Sequence, residues 1–599
     1  MDLPIDTGDA SLDGKIREWL QYDENPVTRD EIIQLVQEKN HDKLNALLMK
    51  RLAFGTAGLR ARMGAGYACM NDLVIIQTTQ GLLRYMQVAF SDVDKDGVVI
   101  GHDARHNSMR FAHLAAAVFI SQQIPVRLFS DIVPTPYVAF AVRRYECAAG
   151  IMVTASHNPK QDNGYKVFWN NGAQIIPPQD EKIAGSILDN LAPWPHVWSV
   201  GGLEGNTLCS DPLARISQIY QQKLEAAAYH RVQNENSEFL FTYTPMHGVG
   251  QKFAADAFST FGLKPFVSVK EQAKPDPDFP TVEFPNPEEG KSALNLAMAA
   301  ADARGSTVIL ANDPDADRLA VAEKKPDGSW HVFSGNEIGA LFAWWLWENH
   351  QRTHPDFAAS KVCMMSSTVS SKIIATMAEQ EGFHFDETLT GFKWMGNLTK
   401  QRSEEGYKVL FAFEEAIGFM VGSEVLDKDG ISALAGMAEM AVHLNTQKKT
   451  LSQQLTDIYQ KYGYHVANTS YFICHSAETI ARIFNRLRAD AEYPTRCGDF
   501  AIKGVRDLTT GFDSNQADNK AVLPTSSSSQ MITFTFVDGS VATLRTSGTE
   551  PKIKYYTEVR LPPGGDAAAA RSHLEKLQQQ LVAEFLEPEK NGLISRATD

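Results

Sequence analysis

Cysteine is sparse in this chain: six in 599 residues, Cys69, Cys147, Cys209, Cys363, Cys474 and Cys497, with no Cys-x-x-Cys pair. That spacing offers no dithiol motif and suits reduced, mostly structural thiols. Long apolar runs are missing too. No stretch approaches the roughly 18 residues that a membrane span needs, and residues 338–347 read as a core helix. Positive charge is in deficit, with a formal net charge of −15. This argues against general affinity for nucleic acid or an anionic membrane, and any anionic substrate must be drawn by a local basic pocket. The first residues, Met-Asp-Leu-Pro-Ile-Asp, carry neither a basic stretch nor an apolar one, so a cytoplasmic location is expected.

What is present is an ordinary globular composition, 43% hydrophobic and 22% charged, in a chain too long for one core. A strand–helix–strand unit of βαβ size recurs. It is seen at 98–101, 108–123 and 126–129, again at 239–243, 250–261 and 265–269, and again at 361–365, 370–380 and 383–386. Recurrence at such wide separation predicts a duplicated α/β domain. Residues 466–560 hold short strands and a helix at 478–490, and a polar helix at 567–586 follows, which predicts an α+β domain. The first 50 residues read as a helical arm.

The most informative stretch is Thr154-Ala-Ser-His-Asn-Pro-Lys-Gln-Asp-Asn-Gly-Tyr-Lys166. It sets Ser156 after an apolar strand, with His157 beside it. Asn158-Pro159 reads as one turn, and Asn163-Gly164 as a second that returns Lys166 toward the hydroxyl. A serine on a strand-end loop beside a base and an ammonium can accept and donate a phosphoryl group. The rival reading is a turn-capping serine beside a surface histidine.

Three other strand-end segments ask for the same ligand. Asn312-Asp-Pro-Asp-Ala-Asp-Arg318 offers Asp313, Asp315 and Asp317 at alternate positions to one hard cation, and Mg²⁺ is favoured over Ca²⁺. An EF-hand fails because its glycine position is Arg318 and its glutamate position is Lys324. An aspartyl nucleophile and plain surface charge are the remaining rivals. Glu414-Glu-Ala-Ile-Gly418 offers Glu414 and Glu415 either as acceptors for sugar hydroxyls or, the better reading of the pair alone, as an ordinary solvated pair, near Lys393 in Thr390-Gly-Phe-Lys393. Arg545-Thr-Ser-Gly-Thr-Glu-Pro-Lys552 gathers Arg545, Ser547, Gly548, Thr549 and Lys552 into a dianion cradle. Phe54-Gly-Thr-Ala-Gly-Leu-Arg60 adds Arg60. Ligands of α/β folds sit beyond the carboxyl ends of strands, so one shared cleft is expected.

In their order and spacing these motifs resemble the α-D-phosphohexomutase superfamily over nearly the whole chain. Residues 391–396, 413–419 and 425–430 are most similar to a eukaryotic branch that acts on pentose phosphates. The resemblance implies an α/β protein, three similar α/β domains with mixed sheets plus a C-terminal α+β domain around a central cleft. The expected domains are a phosphoserine domain at 1–215, a metal-binding domain at 216–335, a sugar-binding domain at 336–465 and a phosphate-binding lid at 466–599.

It also implies an intramolecular phosphotransferase that interconverts ribose or deoxyribose 1- and 5-phosphates, and glucose 1- and 6-phosphates less well. Ser156 would be the phosphoryl carrier and, with the three aspartates, a ligand of Mg²⁺. Lys166 and His157 would move the proton, and Arg60 would line the cleft. Arg318, Lys393, Glu414, Glu415, Arg545, Ser547, Gly548, Thr549 and Lys552 would bind substrate. A sugar 1,6- or 1,5-bisphosphate would be the activator, the partner a small phosphosugar, and the protein a monomer that binds neither nucleic acid nor membrane. A glucose-1,6-bisphosphate synthase fed by 1,3-bisphosphoglycerate and a non-catalytic phosphosugar-binding protein are the alternatives. Hexose-selective relatives carry serine at Ala416 and glycine at Phe413. The lost hydroxyl fits a pentose better, with a packing change that leaves selectivity alone as the other reading.

Overall fold

Val98–His102 and Ala149–Val153 are buried at every residue, and they form the centre of the first sheet. Continuous apolar runs of this kind belong to strands covered on both faces. The computed structural model describes residues 4–289, 291–489, 492–527, 529–547 and 551–595. It divides into two units, Met1–Ile338 with Gly391–Thr450, and Gly339–Thr390 with Leu451–Asp599.

In the first unit, strands β1 (Leu59–Arg62), β2 (Val98–His102), β3 (Val126–Leu128), β4 (Ala149–Val153), β5 (Asp162–Trp169) and β6 (Cys209–Ser210) form one sheet. Its order is β1-β5-β4-β2-β3-β6. Strands β4, β2, β3 and β6 run parallel, while β5 and β1 are added antiparallel. Helices Asp72–Ala89 and Ser108–Ser121 bury Leu82, Leu83, Phe111 and Phe119 against Val98, Ile100, Ile151 and Val153. At the N-terminus, helices Ala10–Tyr22, Pro26–Gln37 and His41–Leu48 begin at Asp9, Asn25 and Asn40, whose side chains accept backbone N–H groups. They close a small core of Leu12, Ile16, Trp19, Ile32, Leu44 and Tyr67.

The second sheet holds β7 (Phe241–Thr244), β8 (Val267–Ser268), β9 (Val308–Ala311), β10 (Ala320–Lys324) and β11 (Trp330–Val332), in the order β11-β10-β9-β7-β8. Strands β9 and β10 pair antiparallel, so the three aspartates lie on the loop joining them. The strand predicted at 239–243 is observed at 241–244. Residues 391–450 add helix Phe392–Glu404, the antiparallel pair β14 (Lys408–Glu414) and β15 (Gly418–Val421), and helix Gly430–Thr446.

In the second unit, β12 (Val362–Ser367) and β13 (His384–Thr388) pair in parallel across helix Ile373–Glu381. The C-terminal sheet contains β16 (Tyr464–Ile473), β17 (Arg496–Cys497), β18 (Phe500–Asp507), β19 (Phe512–Asp513), β20 (Met531–Phe536), β21 (Val541–Thr546), β22 (Lys552–Leu561) and β23 (Ile594–Ser595). Its order is β17-β18-β20-β21-β22-β16-β23, with β19 on β18. Phe534, Leu544, Val559 and Leu577 lie in its core. The closing helix, predicted to reach 586, is regular only over Ala567–Leu581. It widens at Val582–Leu586, where Glu587 turns left-handed (φ 44°) ahead of Pro588. The fold is therefore three α/β domains with mixed sheets and a fourth, sheet-rich C-terminal domain. No helix among the described residues is long and apolar enough to cross a membrane.

Candidate active site

Ser156 leaves the carboxyl end of β4 with φ at 56°, a left-handed conformation uncommon for a residue with a Cβ. Two devices hold it there. Its N–H donates to Thr154 Oγ1 (2.9 Å), and Thr154 Oγ1 donates to Asp103 Oδ2 (2.6 Å). The buried Arg105 guanidinium then gathers the loop, donating to the carbonyls of Ser156 and Asn158 (both 2.6 Å), Pro159 (2.9 Å) and Asp162 (3.3 Å).

The Ser156 hydroxyl points at the aspartate loop, with Oγ 3.0 Å from Asp313 Oδ2 and 3.4 Å from His157 Nδ1. Asp313, Asp315 and Asp317 are fully buried, and one ligand atom from each lies within 4.8 Å of the others. Convergence follows from the loop. Ala316 turns left-handed (φ 51°), and Asn312 Nδ2 clamps the Arg318 carbonyl (2.6 Å) while its Oδ1 accepts from Tyr243 (2.8 Å).

Cations offset this charge. Lys166 Nζ donates to Asp315 Oδ2 (2.7 Å) and Asp317 Oδ2 (3.0 Å), Lys428 Nζ lies 2.8 Å from Asp317 Oδ2, and Thr135 Oγ1 donates to Asp315 Oδ2 (2.5 Å). Burial raises all three carboxyls, but Lys166 and Lys428 overcome it at Asp315 and Asp317, which are lowered. Asp313 stays well above the usual range because of burial and its two acidic neighbours. Asp315 Oδ1 and Asp317 Oδ1 are buried without a hydrogen-bond partner. Buried carboxylate oxygens left open beside a third carboxylate and a serine hydroxyl are an all-oxygen donor set that fits Mg²⁺.

The geometry corrects one expectation. Asn163-Gly164 is no turn: it lies inside β5, with Gly164 opposite Arg60 of β1. A Cβ on Gly164 would stand 2.5 Å from the Thr154 carbonyl oxygen and 2.9 Å from that of Leu59, so glycine serves close backbone approach. Lys166 reaches the site along a strand. Arg60 donates to Asn158 Oδ1 (3.1 Å), which places it at the serine loop.

The Glu414–Gly418 loop adjoins the aspartate loop, since Arg318 and Gly418 form an isolated bridge and Arg318 Nη1 donates to the Ala416 carbonyl (3.2 Å). Arg318 also pairs with Glu288 (3.1 Å). Glu414 Oε1 accepts the Gly391 N–H (2.5 Å), and burial with Glu415 beside it pushes its pKa up to about 7. Lys393 donates to Thr56 Oγ1. Burial, then Arg318 and Arg60, holds His157 well below its ordinary value, so its imidazole is neutral. Phe413 is fully buried and clusters with Phe411 and Phe419, ring centroids 5.9 and 6.5 Å away, so of the two departures from the hexose pattern it belongs to the core.

In the second unit, Arg545 at the end of β21 donates to Thr390 Oγ1 (2.7 Å), and the Ser547 N–H donates to the Lys552 carbonyl (2.9 Å). Gly548 and Thr549 lie outside the described residues. Sequence reasoning missed Lys428, Thr135, Arg105 and Asp103. Lys428 stands in the already noted 425–430 segment, and a lysine between two aspartates there was the available signal.

Models of phosphoglucomutase/phosphomannomutase α/β/α domains I, II and III match residues 51–192, 218–328 and 334–462. The chain is 53% identical to a human phosphopentomutase, with 98% of each covered, and 49% identical to a human glucose 1,6-bisphosphate synthase, covering all of this chain and 98% of that one. A Paramecium parafusin (phosphoglucomutase) structure shares the fold at a TM-score of 0.65 and 18% identity, with 90% of this chain and 96% of that one covered.

Proposed function

The chain belongs to the phosphoglucomutase/phosphomannomutase family of phosphosugar mutases, and on that premise we propose that it is a phosphopentomutase working through a phosphoserine at Ser156. The reading is carried by the Ser156 hydroxyl standing 3.0 Å from Asp313 within a buried three-carboxylate cluster. Phosphorylated Ser156 donates to a ribose or deoxyribose monophosphate. The sugar hydroxyl oxygen forms the new P–O bond as the P–Oγ bond breaks, giving a bisphosphate. That intermediate turns over and returns its other phosphoryl group to Ser156 Oγ.

His157, held well below its ordinary value, takes the hydroxyl proton and gives it back, while the Lys166 ammonium, paired with Asp315 and Asp317, hydrogen-bonds the exchanging oxygens. Asp313, Asp315, Asp317 and the seryl phosphate would hold Mg²⁺, which would supply positive charge against the transferring phosphoryl group. Arg318 and Arg60 add positive charge from this chain. Glu414 and Glu415 accept sugar hydroxyls, with Lys393 nearby. Arg545, Ser547, Gly548, Thr549 and Lys552 hold the phosphate that is not reacting. Ala416 offers no hydroxyl to a hexose, which favours pentoses over glucose 1-phosphate.

Turnover compared on ribose 1-phosphate, deoxyribose 1-phosphate and glucose 1-phosphate tests the preference. Pentoses should lead in kcat/KM, and a glucose preference rejects the reading. Ser156→Ala should take no label from radiolabelled bisphosphate. Likeness to the synthase favours a second reading, bisphosphate synthesis from 1,3-bisphosphoglycerate. Net bisphosphate outrunning isomerisation in that assay would select it.

A further inference from the structure

Away from the carboxylate loop, a second group of ligand-type side chains meets in the second unit. Cys363 on β12 is the register partner of His384 on β13, and Asp386 follows two residues later. Residues two apart on a strand project from the same face, so all three share one side of the parallel pair. One ligand atom from each lies within 4.8 Å of the others. His384 Nε2 is 3.1 Å from Asp386 Oδ1, and Cys363 Sγ is 3.5 Å from Asp386 Oδ2.

Those spacings have a chemical meaning. Tetrahedral zinc with bonds of about 2.0–2.3 Å sets neighbouring ligand atoms roughly 3.3–3.8 Å apart. Both distances are of this order, with the histidine facing Asp386 Oδ1 and the cysteine facing Oδ2, so one carboxylate bridges the two. Cys363 is fully buried, whereas the His384 side chain is 35% exposed and that of Asp386 13%. The group is therefore anchored inside and reachable from solvent on the histidine side. Sulfur and imidazole nitrogen suit a borderline-soft ion and discriminate against Mg²⁺, the reverse of the all-oxygen aspartate loop.

We propose that Cys363, His384 and Asp386 form a second metal site that takes a zinc-class transition-metal ion, with water in the fourth position. Binding replaces the thiol proton: Cys363–SH and the dication give a sulfur–metal bond and one released proton. The ion ties the amino-terminal ends of β12 and β13 together. Strand β13 leads through Glu387, paired with Lys372 and Arg506 (both 2.6 Å), to Thr390, the acceptor for Arg545.

Cobalt(II) titrated into the full-length protein in excess Mg²⁺ is the direct test. One equivalent should bind with a thiolate-to-cobalt charge-transfer band and tetrahedral visible bands, release one proton, and be displaced by Zn²⁺. Cys363→Ser should abolish the charge-transfer band, and His384→Gln should weaken cobalt binding by about tenfold or more. Absence of the band in the unmodified protein, or a band and affinity unchanged in both variants, overturns the proposal. Should Cys363→Ser fail to fold, the partly exposed His384→Gln decides alone.

Discussion

Arg105 does for the serine loop what no neighbour in sequence can: one planar guanidinium ties together carbonyls from Ser156 to Asp162. A lysine keeps the charge and loses the fork. Arg105→Lys is therefore expected to lower kcat by roughly ten- to a hundredfold with a smaller change in KM, because a loop displaced by an ångström misplaces Ser156, the proposed nucleophile. Circular dichroism alongside steady-state kinetics separates this from unfolding. Glu414 gives a pH prediction. Its carboxyl titrates near 7 in the fold against an ordinary 4.5. Between those pH values the folded state binds the extra proton, so this group makes stability fall as pH rises from about 4.5 to 7. Glu414→Gln removes that fall and should be the more stable protein at pH 8, by at most about 3 kcal/mol, read from urea midpoints at pH 5 and 8. The same variant should lose the rise in kcat/KM through pH 7 that an ionised acceptor produces. Ser156 and the three aspartates were legible in the sequence because each stands just past an apolar strand. Thr135 was not, since its partner Asp315 is 180 residues away and no local pattern announces it.

At the scale of elements, strand-end loops were readable and the path of the chain between them was less so. The Asn163-Gly164 dipeptide has turn chemistry, but the neighbours β4 and β1 press so close that glycine is needed for space, and the pair runs straight through β5. Only the sheet order reveals this. Gly164→Ala should lower stability by about 1–3 kcal/mol through overpacking. It should also cut activity by shifting Lys166, two residues along the same strand. A variant with wild-type midpoint and turnover would refute that account. The closing helix shows the same limit: its polar pattern continues to 586, while the left-handed Glu587 and the wider last turn end its regular part earlier.

For the whole molecule, the predicted class was recoverable because βαβ units recur and the last stretch changes pattern. An overall charge of −15 says nothing of the local balance, in which Lys166 pairs with Asp315 and Asp317 and Lys428 with Asp317 among three buried acids. Filling that cluster with Mg²⁺ should stabilise the protein by about 2.7 kcal/mol at a hundredfold excess over Kd. A chelator should remove the gain, Asp315→Asn should not show it, and calorimetric melting with and without the ion checks both. The backbone at Ser156, held at φ 56°, would be easier for glycine than for serine by about 1 kcal/mol. A laboratory selection for heat resistance alone would therefore drift toward glycine at the position proposed to carry the phosphoryl group. Libraries of this enzyme need an activity screen at every round, or their sturdiest members will be inert.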